Sequence, residues 1–415
     1  MRVLHFIPSL VIANSSSFLK YKLGLFEAMA KGTEILVLTS DAGNMQIDGA
    51  AVKEYSPFKV CVECGKRGFG KDLSDFRPDI VHIHACWNFS AYGLFKECVR
   101  RKIPVVLTVD NRLSRWHLSS RYLLVKLPMW FMFQHRMLSG VEALHAISEQ
   151  EETWLKGIHC IPGLRFGRCV NSRVAVVEAF NIVADKSAAD MSDALIRLYQ
   201  KVIDTSPFVR MTENERQVED GLLKASLFAD GDEIHDKSFL SIQLSKASWR
   251  RIFLHSNDEG VLDSLIGGLS ASGLEVPDVD VGNVDRFTMK RNNDELIEKQ
   301  VLKDSRILKI KSEGALPPLE SELCVAMVML SIKMKHSCAH RSDFIRIYKM
   351  LRFNDYDEGL VKDVLDRYGV SKFAARIMTI MNERYGLGEG FMPVEPLDDK
   401  GTEALRRKLF KSEVQ

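Results

Sequence analysis

Asp79-Ile-Val-His-Ile-His84 and Ile103-Pro-Val-Val-Leu-Thr-Val109 are two short apolar runs, separated by a stretch from about Ser90 to Arg101 with helical character. Runs this short and this rich in β-branched residues read as strands buried on both faces of a sheet. Strand, helix and strand in that order make a parallel βαβ unit. The pattern continues outward in both directions. Toward the N-terminus, Val3 to Ile7 is an apolar run ended by Pro8, and a polar Asn14-Ser-Ser-Ser17 loop follows. Leu19, Leu23, Phe26 and Met29 then recur at near-helical spacing up to Gly32, and Glu34-Ile-Leu-Val-Leu-Thr39 is another continuous strand-like run. Toward the C-terminus, Val141-Glu-Ala-Leu-His-Ala-Ile-Ser148 reads as one more strand. The series predicts a doubly wound, Rossmann-like parallel sheet. Such sheets bind ligands beyond the carboxyl ends of their strands. Those ends carry Pro8 to Ser17, His84 to Asn88, Asp110 to Arg115, and Ser148 with Glu149.

The whole chain has 415 residues, 27% of them charged and 46% hydrophobic, which is globular composition. One core rarely grows to that length, so two domains are expected, a sheet domain over 1–170 and a second region over 171–415. The net charge of +2 argues against a general nucleic-acid binder. Its distribution is uneven: through Arg173 there are 23 Lys/Arg and 15 Asp/Glu, whereas the remainder has 34 and 40. An anionic ligand is therefore expected on the first part.

Eight cysteines in so long a chain read as reduced thiols of a cytoplasmic protein. Cys61 and Cys64 form one CxxC with no second pair at zinc-ribbon spacing, and in His336-Ser-Cys338-Ala-His340 a helix would turn the cysteine away from the histidines. No metal is expected. The opening residues have one basic side chain and an apolar run, as a secretion signal has, but His5 and Pro8 interrupt it and the strand reading fits. No run reaches the roughly 18 apolar residues of a spanning helix.

From Arg112 to Arg136 the sequence interleaves Arg112, Arg115, His117, Arg121, Lys126, His135 and Arg136 with Trp116, Tyr122, Trp130, Phe131 and Phe133. Cations bind phosphate, and aromatic rings stack on sugars or sit at a membrane surface. An amphipathic helix that packs its aromatics on the sheet explains most of the rings. Arg112 and Arg115, just past a strand end, are better placed for a ligand.

Beyond residue 171 the pattern becomes helical. Met191, Ala194, Leu195, Leu198 and Val202 share a face, and Thr212-Glu-Asn-Glu215 is a capping box opening the next helix. Further helices are expected over 320–335, 342–351, 358–368 and 371–385, followed by a turn-rich segment from Gly386 to Asp399. Short β-type runs such as Arg306 to Ile310 keep a mixed domain open.

Met1-Arg-Val-Leu-His-Phe-Ile-Pro-Ser9, Arg77-Pro-Asp-Ile-Val-His-Ile-His84, Ile103-Pro-Val-Val-Leu-Thr108 and Glu142-Ala-Leu-His-Ala-Ile-Ser-Glu149 stand in the order found in family-4 glycosyltransferases. Over roughly its first 165 residues the chain resembles the N-terminal, acceptor-side domain of a GT-B enzyme of that family. The departures are specific. Asn14 to Ser17 stand where the family usually has a Gly-Gly loop, and Asp110-Asn111 stand where it commonly has a histidine. Ile161-Pro-Gly163 shortens the usual Pro-Asn-Gly entry to the second domain. The second Rossmann domain, with its basic donor-phosphate pair and two glutamates separated by seven residues, has no counterpart: six residues separate Glu313 from Glu320, and eight separate Glu313 from Glu322.

The resemblance implies transfer of a hexose-type sugar from a nucleotide-sugar to a polysaccharide or lipid-linked acceptor in cell-surface glycan synthesis. It requires no metal and no cofactor other than the nucleotide-sugar as substrate. Asp110 becomes the candidate base or hydroxyl-orienting group. Asn14, Ser15, His84, Asn88, Asn111, Arg112, Arg115, His145, Ser148 and Glu149 are the candidate substrate contacts. The expected partners are a nucleotide-sugar and a glycan acceptor, with peripheral contact at the inner face of a membrane and a protein partner as further expectations. The alternative is a non-catalytic glycosyltransferase-like partner or regulatory subunit that has lost its donor half.

Overall fold

The computed structural model describes residues 1–8, 16–40, 52–55, 58–62, 69–110, 112–113, 125–157, 173–177, 187–205, 207–227, 238–287, 294–312, 316–336 and 338–411. The chain forms two compact units, Met1–Thr205 with Asp285–Phe287, and Ser206–Val284 with Thr288–Gln415. The first unit extends beyond residue 170, where the sequence reading put the boundary, because a further strand and an 18-residue helix complete its sheet layers.

In the first unit eight strands form one sheet: β1 (Arg2–Ile7), β2 (Glu34–Thr39), β3 (Val52–Tyr55), β4 (Phe58–Val62), β5 (Ile80–Ile83), β6 (Val105–Thr108), β7 (Ala143–Ala146) and β8 (Val174–Val176). Their order is β3-β4-β2-β1-β5-β6-β7-β8. Every neighbouring pair is parallel except the edge pair β3 and β4. Successive strands step away from β1 on one side and then resume with β5 on the other. The switch point, where a doubly wound sheet opens a crevice, therefore lies between β1 and β5.

The central strands are apolar on both faces because both are covered. Leu4, Phe6, Val81, Ile83, Leu107 and Leu144 pack with residues of α2 (Phe69–Phe76) and α3 (Phe89–Arg100). On the opposite face Val3, Ile7, Val37, Ile80, Val106 and Ala143 meet Leu25, Phe26 and Met29 of α1 (Ser16–Met29). Met191, Leu195, Leu198 and Tyr199 of α6 (Ala188–Thr205) close that layer. The helix α5 (Glu149–Gly157) follows β7.

From Leu127 on, the basic aromatic segment is a helix, α4, made of Leu127–Met129, a π-helical turn over Trp130–Gln134, and His135–Gly140. Trp130, Phe133, Gln134, Met137 and Leu138 are buried, whereas Phe131 and Met132 are 56% and 52% exposed. The arrangement separates the two expectations for the rings: Trp130 belongs to the core and Phe131 to the surface.

Among the described residues the second unit has no strand. Arg306 to Ile310, which could have been a strand, lies within the helix Ser305–Ser312, with Ile307 and Ile310 turned inward. The long apolar helix Pro318–Lys335 packs with Arg341–Phe353 and Glu358–Arg367, and Ser371–Tyr385 adjoins the latter two. The Thr212 capping box forms as read, opening Glu213–Ala225. That helix lies against Leu262–Ala271 so closely that a Cβ on Gly268 would meet the Leu222 carbonyl oxygen at 1.9 Å. No described helix is long and apolar enough to cross a membrane.

Candidate functional site

At the carboxyl ends of the central strands a row of polar side chains interrupts the apolar face toward α1 and α6. Strand alternation and parallel register explain why they meet: His5 pairs with His82 across β1 and β5, and Thr108 with His145 across β6 and β7. All are buried, so each needs a partner.

The partners fix the protons. The Nε2–H of His145 donates to the Val177 carbonyl at 2.9 Å, which leaves Nδ1 to accept from the Thr108 hydroxyl at 2.8 Å. The Thr108 oxygen then accepts from His82 Nε2–H at 2.5 Å, and His82 Nδ1 accepts from the Tyr199 hydroxyl at 2.5 Å. The chain is complete with both imidazoles neutral. Burial lowers the His145 pKa to about 4 and holds His82 well below its ordinary value, the neighbouring His5, His145 and Lys22 adding to the effect on His82.

A second chain lies at the switch point. Lys22, buried on α1, is 3.1 Å from His84 Nδ1, and His84 Nε2 is 3.0 Å from His5 Nδ1. With Lys22 as an ammonium, His84 accepts from it and donates to His5, whose outer nitrogen, Nε2, then carries a proton with no hydrogen-bond partner. Burial lowers the Lys22 pKa, and the negative charge of Asp110 opposes that shift. Burial also lowers His5 to about 3 and His84 well below its ordinary value. His5, His82 and His84 offer ligand nitrogens within 4.8 Å of one another. The lone pairs of all three are engaged in the bonds just described, so a metal could bind there only by displacing them.

Asp110 follows β6, half-buried, with φ at +49°. Trp87, four residues past the end of β5, has φ at +59°. Left-handed backbone at two non-glycine residues costs on the order of 1–3 kcal/mol each and persists only where the surroundings impose it. Here they do. The indole Nε1–H of Trp87 donates to the Arg112 carbonyl at 3.1 Å, and its backbone N–H donates to Gln134 Oε1 at 2.8 Å. Arg112 N–H returns to the Val109 carbonyl at 3.1 Å, closing the turn that holds Asp110.

The other anticipated residues fall as follows. Asn88 caps α3, its side chain accepting from Ala91 N–H at 2.8 Å. Ser148 accepts from Glu151 N–H at 3.2 Å at the start of α5, and Glu149 is exposed in the first turn. The Arg112 side chain is exposed beside Asp110 in sequence. Asn14, Ser15, Asn111 and Arg115 lie outside the described residues. The structure thus joins His84 to Lys22, links Trp87 with the Asp110–Arg112 turn, and sends His145 into the core. Sequence reasoning passed over Lys22, Trp87 and Gln134. Only Lys22 left a usable signal, a lysine four residues before Phe26 and seven before Met29 on an apolar helix face.

Sheet order, switch point and strand-end polar groups define a doubly wound α/β domain of the kind that binds ligands at its carboxyl edge. Residues 58–162 match the model of the glycosyl transferase 4-like domain. That match supports a family-4-like glycosyltransferase N-terminal domain within the first unit. No curated protein matches the chain.

Proposed function

We propose that this glycosyltransferase-like protein transfers a sugar from a nucleotide-sugar to a polysaccharide or lipid-linked acceptor in cell-surface glycan synthesis, with Asp110 as the group that orients or deprotonates the acceptor hydroxyl. The observation that carries the reading is Asp110 itself. It emerges from a buried strand of a glycosyl transferase 4-like domain, in a backbone conformation that strain alone would not select. A carboxylate there can accept a hydroxyl proton or hold the hydroxyl by a hydrogen bond. Asp110→Asn keeps the shape and most turn bonding but removes the basic oxygen. The variant is expected to melt with the parent while losing sugar transfer, or glycan assembly in cells, by at least 100-fold, within the range of a lost general base. Retained activity with intact folding would remove Asp110 from the chemistry.

A second reading has its own support. Among the described residues the second unit contains no strand, whereas the donor half of a GT-B enzyme is a second Rossmann sheet. A non-catalytic glycosyltransferase-like subunit would keep the glycan surface of the first unit and depend on a partner for the donor.

A further inference from the structure

Three features converge at the ends of β5 and β6 that ordinary packing does not call for. One is the left-handed backbone of Trp87. Another is the π-helical turn Trp130–Gln134, a rare element that recurs at functional sites. The third is Gln134, fully buried, whose Oε1 accepts from Trp87 while its amide nitrogen faces the buried Cys86 thiol. A tryptophan needed only for the core could sit on ordinary backbone. This one is half-buried, leans on Trp130 at a ring separation of 6.2 Å, and has its indole N–H tied to the turn that carries Asp110.

We infer that Trp87 is a carbohydrate-stacking platform, and that Gln134 and the π-helical turn are the parts that hold it. The inference rests on the glycosyltransferase reading and narrows it by assigning a ligand class to one side chain. The apolar face of a pyranose ring matches an indole, whose large rigid surface loses little freedom on contact. The Asp110 carboxylate, on the turn to which that indole is bonded, supplies an acceptor for a ring hydroxyl. Gln134 is a positioning residue: its Oε1 fixes the backbone of Trp87, and Trp130, four residues before it on the same side of α4, lies against the platform.

Saturation-transfer difference NMR tests this on the full chain with methyl glucoside, methyl galactoside and N-acetylglucosamine as probes. Trp87→Gly is the informative variant, because glycine accepts the +59° backbone at residue 87 while deleting the ring, and Trp87→Phe, which also lacks the indole N–H, separates loss of the ring from loss of its bond to Arg112. At least one probe is expected to show saturation concentrated on the protons of one ring face. That signal should fall at least fivefold in Trp87→Gly, survive at half strength or better in Trp87→Phe, and fall at least twofold in Gln134→Leu while circular dichroism stays that of the parent. Equal signals from the parent and Trp87→Gly would overturn the inference and leave the glycosyltransferase reading standing, since sugars would then bind elsewhere. An absence of signal from all three probes would overturn it as well. The broader reading is decided separately, by nucleotide-sugar binding.

Discussion

Thr108 ties two histidines to one protonation state. Its hydroxyl donates to His145 and its oxygen accepts from His82, so Thr108→Val, nearly the same shape, leaves two buried ring nitrogens unpaired. Urea denaturation at pH 7 should show a loss of about 2–4 kcal/mol; a loss below about 0.5 would mean that the chain does not hold the fold. The pH dependence has a definite sign. The histidines at 5, 82, 84 and 145 all have folded pKa values below the ordinary 6.5, with His145 near 4 and His5 near 3. Below pH 6.5 the unfolded chain binds protons that the folded unit refuses. Stability is therefore full above pH 6.5 and falls as pH drops toward 4, by up to about 1.4 kcal/mol per pH unit for each histidine. Strand alternation already put His82 and His84 on one face. Their partners were not legible, because Tyr199 and Lys22 come from helices far away in sequence. Nor could any pattern show that Trp87 would have positive φ, which a bulky aromatic rarely adopts; aspartate is enriched there, but too weakly to single out Asp110.

Among the elements, α4 is where composition and structure divide the work most clearly. Residues 111–140 contain Arg112, Arg115, Arg121, Lys126 and Arg136 and no acidic residue. Phe131 and Met132 of α4 and Val125 just before it are exposed, and Phe89 of α3 is 60% exposed beside Phe133. Exposed apolar groups on a segment that also carries Lys126 and Arg136 suit an anionic bilayer surface, where each nearby Lys or Arg contributes about 1 kcal/mol. Vesicle flotation should recover the protein with anionic but not neutral vesicles, and a Phe131→Ser, Met132→Ser double variant should lose most of that recovery. Equal recovery with both vesicle types, or with neither, would speak against the membrane contact. The segment was readable as an amphipathic helix, but the division of its rings was not. Phe131 is as apolar as Trp130 and Phe133, so composition alone does not say which rings the helix buries, although the buried residues Trp130, Phe133, Gln134, Met137 and Leu138 keep ordinary helical spacing. The edge strands β3 and β8, and β4 next to β3, went unseen for a simpler reason: three to five residues carry too little pattern.

At the scale of the whole chain the two units should fail at different pH. The second unit is fastened by Glu219, fully buried, which accepts from His255 at 2.8 Å and Ser256 at 2.6 Å and lies 3.3 Å from Arg341. Burial pushes the Glu219 pKa up, but His255 and Arg341 outweigh it and draw it down to about 2. Its contribution is present above the ordinary value of 4.5 and lost as pH falls toward 2, later than the histidine penalty in the first unit. Hydrogen exchange after incubation at pH 5 should therefore open peptides of the first sheet while the helices Lys246–Asp258 and Leu262–Ala271 stay protected. The reverse order would refute the assignment, and Glu219→Gln should cost the second unit about 3 kcal/mol at pH 7.

The first unit was legible because parallel strands announce themselves by continuous apolar runs and helices by their spacing. The helices of the second unit were legible too, down to the Thr212 cap. What they bind was not, because helical spacing records burial and says nothing of ligands. The central claim is that this chain works on a nucleotide-sugar. Calorimetric titration of the intact protein with uridine, guanosine and thymidine diphosphate sugars up to millimolar concentration tests it most directly. The account predicts saturable binding of at least one donor, with consumption of that donor lost in Asp110→Asn; no heat from any donor would contradict it and leave the non-catalytic subunit as the reading that stands.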